Sequence, residues 1–161
     1  MPIPTSLSSE QFSPVKFMVL TPTFNTSPFS NSEIAEFLHE HLERFGDPID
    51  QIKNCLDYAL STDPAMGGMC VLAYQEPSDL LGACIINQTK FKGYIPNNML
   101  VYIAVRSDTR GRGIGKSLML QVQSLVEGDI ALHVEPDNPA RFLYEKCGFS
   151  SKYVEMRYSP E

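Results

Sequence analysis

The stretch that most constrains this chain runs from residue 101 to residue 119, VYIAVRSDTRGRGIGKSLM. Residues 99–105 form a nearly unbroken apolar run, the pattern of a central strand covered on both faces. Arg106, Ser107 and Asp108 break it into a polar turn, and glycines follow at alternate positions, Gly111, Gly113 and Gly115. From Ile114 the apolar residues recur at Leu118, Val122, Leu125 and Val126, a helical spacing that Gly128 closes as a C-terminal cap. The unit is therefore strand, glycine loop, helix. A helix that starts this way offers unpaired backbone N–H groups and the positive end of its dipole to whatever lies in front of it, which makes an anion site. Arg106, Arg110, Arg112 and Lys116 set four cations around that site against the single acid Asp108. Glycine backbone lets a phosphate approach closely, so a phosphate-bearing ligand is the natural occupant.

Spacing separates the phosphate motifs that this loop could represent. A Walker A loop needs G-x-x-x-x-G-K-[ST]; Gly115, Lys116 and Ser117 supply its second half, but its first glycine falls on Arg110. A dinucleotide fingerprint, G-x-G-x-x-G, fails because Lys116 stands where the third glycine belongs. The spacing R-x-x-G-x-G does match, with Arg110, Gly113 and Gly115. Taken alone, the stretch is also compatible with a turn that merely caps a helix.

The rest of the composition narrows the class. A chain of 161 residues is one domain, long enough to bury a core without metal or disulfide staples. A net charge of -6 argues against partners made of nucleic acid or anionic membrane, so the basic cluster is a local exception. Cys55, Cys70, Cys84 and Cys147 make no C-x-x-C pair and no metal-ligand spacing, which predicts reduced, buried thiols and no metal. No apolar run approaches spanning length and no leader pattern opens the chain, so the expected location is cytoplasmic, as a monomer or homodimer.

In chain order, residues 1–13 are Ser- and Pro-rich and predict a loose arm, with one domain over residues 14–161. Residues 15–20 predict a strand. Ser30 and Glu33 have the spacing of a capping box, and Ile34, Phe37, Leu38, Leu42 and Phe45 mark the buried stripe of the helix it starts. Gly46 ends that helix, and Asp47 as N-cap with Pro48 as first helical residue start the next, with Ile49, Ile52, Leu56 and Leu60 buried. His39 and His41 are two apart and do not share a helix face, so no metal pair is expected. Residues 69–74 and 80–87 predict a hairpin, residues 89–98 a polar connection, and residues 129–134 a fifth strand parallel to the central one. Asn138 predicts the cap of a short helix over residues 139–146, and residues 149–152 and 153–158 predict two closing strands.

A second motif lies in residues 132–149, LHVEPDNPARFLYEKCGF, with Asn138, Ala140, Leu143, Tyr144, Gly148 and Phe149 at its marked positions. Together with R-x-x-G-x-G, in this order and separated by one helix and one strand, it resembles the paired signatures of the GNAT superfamily of acyl-CoA-dependent N-acyltransferases. The close resemblance covers residues 99–149; the preceding order of elements agrees in outline. It implies a single-domain α/β/α fold with a central mixed, mostly antiparallel sheet whose two middle parallel strands splay apart around acyl-CoA. It implies direct transfer of an acetyl group from acetyl-CoA, as co-substrate, to a primary amine of a small molecule or peptide. By position, Ile103, Ala104 and Val105 would pair with the pantetheine arm. The N–H groups of Arg110, Gly111, Arg112, Gly113, Ile114, Gly115 and Lys116 would meet the pyrophosphate, and Ser117 would add a hydroxyl. Asn138 and Tyr144 would flank the thioester, Tyr144 would give the leaving thiolate its proton, and the Val105 N–H would receive the oxyanion.

Members of the superfamily often carry a carboxylate early in the central strand, but that position here is Met99, preceded by Asn97 and Asn98. Glu135 and His133, at the end of the fifth strand, are the substitutes for a general base. Two other classes stay open. One is a non-catalytic acyl-CoA-binding protein of the same fold; the other is a magnesium-ATP enzyme using the Gly115-Lys116-Ser117 half motif. The acceptor is not named by the sequence. The acidic balance favours a cationic amine, with the first two helices and the connection over residues 89–98 on the acceptor side.

Overall fold

The computed structural model describes residues 13–161. The arm expected over residues 1–13 lies outside them except for Ser13, whose carbonyl accepts a hydrogen bond from the Gln75 side-chain amide at 2.6 Å. The described elements are β1 (Lys16–Leu20), α1 (Asn31–His41), α2 (Ile49–Ala59), β2 (Gly68–Gln75), β3 (Asp79–Gln88), β4 (Asn98–Val105), α3 (Ile114–Leu125), β5 (Ile130–Ala131) and α4 (Ala140–Lys146). One-turn 3-10 helices at Glu43–Phe45 and Ser107–Thr109 follow α1 and β4. The five strands stand side by side in chain order, antiparallel from β1 to β4, with β5 parallel to β4.

Both faces of the sheet are covered, which is why β2 and β3 read as continuous apolar runs. Leu72, Ala83, Ile85, Tyr102 and Ala104 face α1 and α2, packing on Ile34, Leu38, Ile52 and Leu56. Val71, Ala73, Leu81, Cys84, Ile86 and Leu100 face the other way, onto Ile114, Leu118, Met119 and Val122 of α3 and Tyr144 of α4. The capping box forms as its spacing predicts: the Glu33 N–H donates to Ser30 Oγ at 3.1 Å and the Ser30 N–H to Glu33 Oε2 at 2.6 Å.

Two irregularities in β4 shape everything downstream. Ile85 pairs with Tyr102 and Ile86 with Leu100, so Val101 is left over as a bulge. In a regular strand Leu100 and Tyr102 would share a face; across the bulge Leu100 packs under α3 and Tyr102 under α1 and α2. The second irregularity is the brevity of the parallel pairing, which joins only Asn98 to Ile130 and Met99 to Ala131. Asn98 makes that joint: it is 4% exposed, its N–H donates to the Asp129 carbonyl, and its side-chain amide donates to the Glu127 and Asp129 carbonyls at 2.7 and 3.2 Å. Past Met99 the two strands part, and a wedge opens between residues 101–105 and residues 132–138.

Four expectations need correction. The fifth strand is two residues long rather than six, because Leu132 and Val134 turn to pack on the α3-side core instead of continuing the ladder. Residues 149–158 form no strand; β5 presents too short an edge to template one, and Tyr153, Val154, Met156 and Tyr158 stand exposed. Among the described residues the parallel pair therefore closes one edge of the sheet rather than lying in its middle. Finally, Asp47 does not cap α2. The cap position is Pro48 with no side-chain bond, and the Asp47 carboxylate turns instead to β4.

Candidate functional site

The wedge is lined on one side by bare backbone. The Arg106 N–H donates to the Leu81 carbonyl of β3 at 2.8 Å. Backbone groups alternate sides along a strand, so Ala104 also turns toward β3, while Ile103 and Val105 turn their N–H and C=O groups toward the side that β5 has left. Of the three residues expected to pair with a ligand, two thus present their backbone to the opening. The Val105 carbonyl is engaged by Arg110 Nε at 3.3 Å, which leaves the Val105 N–H and both groups of Ile103 facing the gap.

At the top of β4 the three glycines serve two purposes. Gly111 and Gly113 both hold φ of +80°, a region that costs an L-residue with a Cβ about 1–2 kcal/mol, and a Cβ at either would meet nothing within 4 Å among the described residues. Gly113 caps α3 without a side-chain bond, and no acid lies in the first turn, so the first N–H groups of that helix meet no capping side chain. Gly115 is a packing residue: a Cβ there would stand 3.1 Å from Leu143 Cδ2 and 3.6 Å from Val105 Cγ2, so its bareness lets α3 begin against both β4 and α4.

The cations are less uniform than the sequence suggests. Arg106 bonds Asp79 at 2.5 Å and Asp108 at 2.7 Å; the bond to Asp108, helped by Asp79, holds its guanidinium above the usual value. In return the Arg106 hydrogen bond, with the charges of Arg106 and Arg112 adding to it, holds the Asp108 carboxyl below its ordinary range. Arg110 reaches Glu43 Oε1 at 3.1 Å and the His41 carbonyl at 2.7 Å. Arg106 and Arg110 therefore brace the loop from behind. Arg112 and Lys116 are exposed on it, and Lys116 lies near enough to Cys147 to offset part of the rise that burial imposes on that thiol.

Across the wedge, the Asn138 side-chain oxygen accepts the Ala140 N–H at 2.9 Å, so Asn138 holds the first residue of α4, although the cap position itself is Pro139. Tyr144, one turn along, is 8% exposed in the α3-side core against which Ile103 and Val105 also pack. Burial, with the nearby Cys84 adding, pushes its phenol up to about 12. Its hydroxyl makes no hydrogen bond among the described residues. Among the described residues the one fully buried side-chain N or O without a partner is Asn87 Oδ1, so the Tyr144 hydroxyl reaches solvent. His133 and Glu135 are exposed on the segment after β5, and since Leu132 and Val134 pack inward, they point away from the face that holds Tyr144.

One pair of polar residues escaped the sequence reading. The Tyr102 hydroxyl donates to Asp47 Oδ2 at 2.6 Å, tying the corner between α1 and α2 to the centre of β4. Desolvation first, then the bond to Asp47, raises that phenol above its ordinary value. A signal was present: a tyrosine within an apolar strand needs a partner for its hydroxyl, and Asp47 is an acid placed where a helix must begin anyway.

The family model for an acetyltransferase (GNAT) domain matches residues 67–151. Solved structures of similar shape include an aminoglycoside N-acetyltransferase in complex with CoA, at 17% identity and a TM-score of 0.64, with 94% of this chain and 97% of that one covered. A ribosomal-protein-alanine N-acetyltransferase from Brucella melitensis biovar Abortus 2308 aligns at 21% identity and a TM-score of 0.60, over 91% of this chain and 99% of that one. The NatC complex bound to Gag peptide and CoA aligns at 19% identity and a TM-score of 0.64, over 89% and 86%. A search among curated proteins gives no match. The matched residues run from β2 to just past α4 and take in the wedge, the glycine loop and Tyr144 together; the chain belongs to the GNAT family of acetyltransferases.

Proposed function

We propose that this chain transfers an acetyl group from acetyl-CoA directly to a primary amine of a small molecule or peptide. The observation that carries the reading is the convergence on one opening of an unpaired strand edge, a helix start with no side-chain cap, and a buried tyrosine whose hydroxyl has no partner inside the fold. The donor fits these groups. Backbone N–H groups over residues 110–116 suit a pyrophosphate, with open space before Gly111 and Gly113, and the edge at Ile103 and Val105 suits an amide-bearing arm. Bound there, acetyl-CoA supplies a thioester carbonyl and a thiol leaving group.

The chain's own groups then divide the work. The Val105 N–H faces the opening, and its position on the rigid central strand suits it to receive developing negative charge without reorganising. Tyr144 keeps its proton on Oη throughout the neutral range, because burial holds its pKa at about 12, and offers it to the departing sulfur. An amine arrives mostly protonated at neutral pH. His133 or Glu135, both exposed after β5, would take its proton through water.

Calorimetric titration with acetyl-CoA, CoA and magnesium-ATP, followed by a thiol-release assay over a panel of amines, tests the reading. Acetyl-CoA binding without ATP binding is expected, together with thiol release on at least one amine; ATP binding alone would overturn it. Tyr144→Phe should cut turnover about a hundredfold while leaving the acetyl-CoA Kd in place. A non-catalytic acyl-CoA-binding protein is the second reading, favoured by Met99, which stands where members of the superfamily often carry a carboxylate. Acetyl-CoA binding with no thiol release on any amine would select it.

A further inference from the structure

The corner over residues 41–47 roofs the wedge on the face opposite α3. It reaches all sides of the opening. Arg44 pairs with Asp137, between β5 and α4, at 3.0 Å, and Glu43 pairs with Arg110 of the glycine loop at 3.1 Å. His41 Nδ1 accepts the Ser107 N–H at 3.4 Å, and Asp47 takes the hydroxyl of Tyr102 on β4. Tyr102 stands three residues past the last β4–β5 pair, at Met99 and Ala131, and so at the level where the wedge has opened. The roof holds its shape at some expense, since Glu43 adopts a φ of +55°.

Charge accounting at this corner leaves one group over. Glu43 and Arg44 each have an opposite charge, whereas Asp47 is exposed and among the described residues pairs with no cation; its hydrogen-bonding partner there is a neutral phenol on a buried strand residue. A single hydroxyl satisfies one of the several lone pairs of a carboxylate. The carboxylate is exposed, and its partner Tyr102 belongs to the α1 and α2 side of the sheet, away from Tyr144 and the α3 core. Tyr102 also fixes the carboxylate in place, so a ligand meeting it loses less side-chain entropy than at a free surface acid.

We propose that Asp47, positioned by Tyr102, is the subsite that receives the cationic amine of the acceptor. The inference rests on the acetyl-transfer reading above and names the missing half of it. An alkylammonium group donates up to three hydrogen bonds and carries the charge that Asp47 lacks. The carboxylate draws the amine to the wedge from the α1 and α2 side, where loss of its proton through water to His133 or Glu135 frees the lone pair for attack.

The test uses full-length protein loaded with CoA and titrated with spermidine, ethylammonium and a short peptide with a free N-terminus, against ethanol and acetylated spermidine as uncharged or blocked controls. At least one amine should bind, and Asp47→Asn should weaken it about tenfold or more while the acetyl-CoA Kd stays within twofold. Tyr102→Phe removes the same tether between the corner and β4 but keeps the charge, so it should weaken the amine only a few-fold, and Asp47→Glu should restore part of the affinity. Equal losses in Asp47→Asn and Tyr102→Phe would mean that the pair only holds the corner in place, and would overturn the subsite. So would unaltered amine binding in Asp47→Asn, or failure of the wild type to bind any of the three amines. Loss of acetyl-CoA binding by the wild type would instead strike the acetyl-transfer reading itself, which the separate donor titration reveals.

Discussion

Asn98 shows how one side chain can decide where a site forms. It is buried, and its amide bridges two carbonyls of the segment leading into β5, so β5 is pinned at its first residues and free thereafter. Asn97 supports the same joint: its Oδ1 accepts the Asp129 N–H at 3.3 Å and lies where a Cβ on Gly128 would fall. Asn98→Ala should cost about 1–3 kcal/mol, because the Glu127 carbonyl loses its side-chain donor and the Asp129 carbonyl keeps only the backbone N–H. Urea denaturation of the variant reads that loss directly, and a midpoint unchanged from wild type would show that the joint is held by something else. Gly128→Ala should cost more. Its φ of +80° disfavours a Cβ, and that Cβ would collide with the Asn97 amide. In the sequence these asparagines are visible only as the absence of an acid at the start of the central strand; their burial, and therefore their purpose, depends on the return of a segment thirty-odd residues later.

At the scale of elements, the periodic signals were legible and the junctions were not. The stripes of α1, α2 and α3, the β2–β3 hairpin and the strand–loop–helix unit all follow from spacing, since a helix or a two-sided strand must repeat its apolar residues at its own period. Asp47 misled because capping is a local rule, and Tyr102, fifty-five positions away, offered its carboxylate a buried hydroxyl that the α2 N-terminus could not match. Residues 149–158 misled for a related reason: alternation describes a strand that has a neighbour, and β5 stops after two residues. The candidate site divides in the same way. The glycine loop and Tyr144 could be read in the chain, whereas the bracing of Arg106 and Arg110 by acids from β3 and the α1 corner could not. Gly113→Ala separates the loop's local cost from its proposed role. With nothing among the described residues within 4 Å of the new methyl, the expected penalty is the backbone strain, about 1–2 kcal/mol of stability, whereas the shifted N–H groups should weaken acetyl-CoA noticeably in calorimetry.

The whole molecule carries a further signature in its thiols. Cys55, Cys70 and Cys84 lie in the interior, and burial is the first cause of the rise in each: Cys55 and Cys70 are pushed up to about 12 from an ordinary 9.0, and Cys84 rises well above that ordinary value. Tyr144 moves in the same sense, to about 12. For a group whose folded pKa is raised, the unfolded chain gives up its proton first. The stability it contributes is complete below the unfolded pKa and is lost as pH climbs from there toward the folded value. The window therefore runs from about pH 9 to pH 12, and neutral pH lies safely below it. Each unit above the unfolded pKa costs about 1.4 kcal/mol per group, so Cys55 and Cys70 together remove roughly 4 kcal/mol by pH 10.5, close to the stability of a marginal domain, and Cys84 acts in the same sense. Urea midpoints measured under reducing conditions should accordingly hold level up to about pH 8.5 and fall steeply by pH 10.5. Cys70→Ala should be less stable at pH 7, because it leaves a cavity, yet show a shallower fall with pH because one titrating group has gone. Slope and midpoint then move in opposite senses, which no general weakening of the fold would produce; a slope as steep as wild type would mean that these thiols ionise without unfolding.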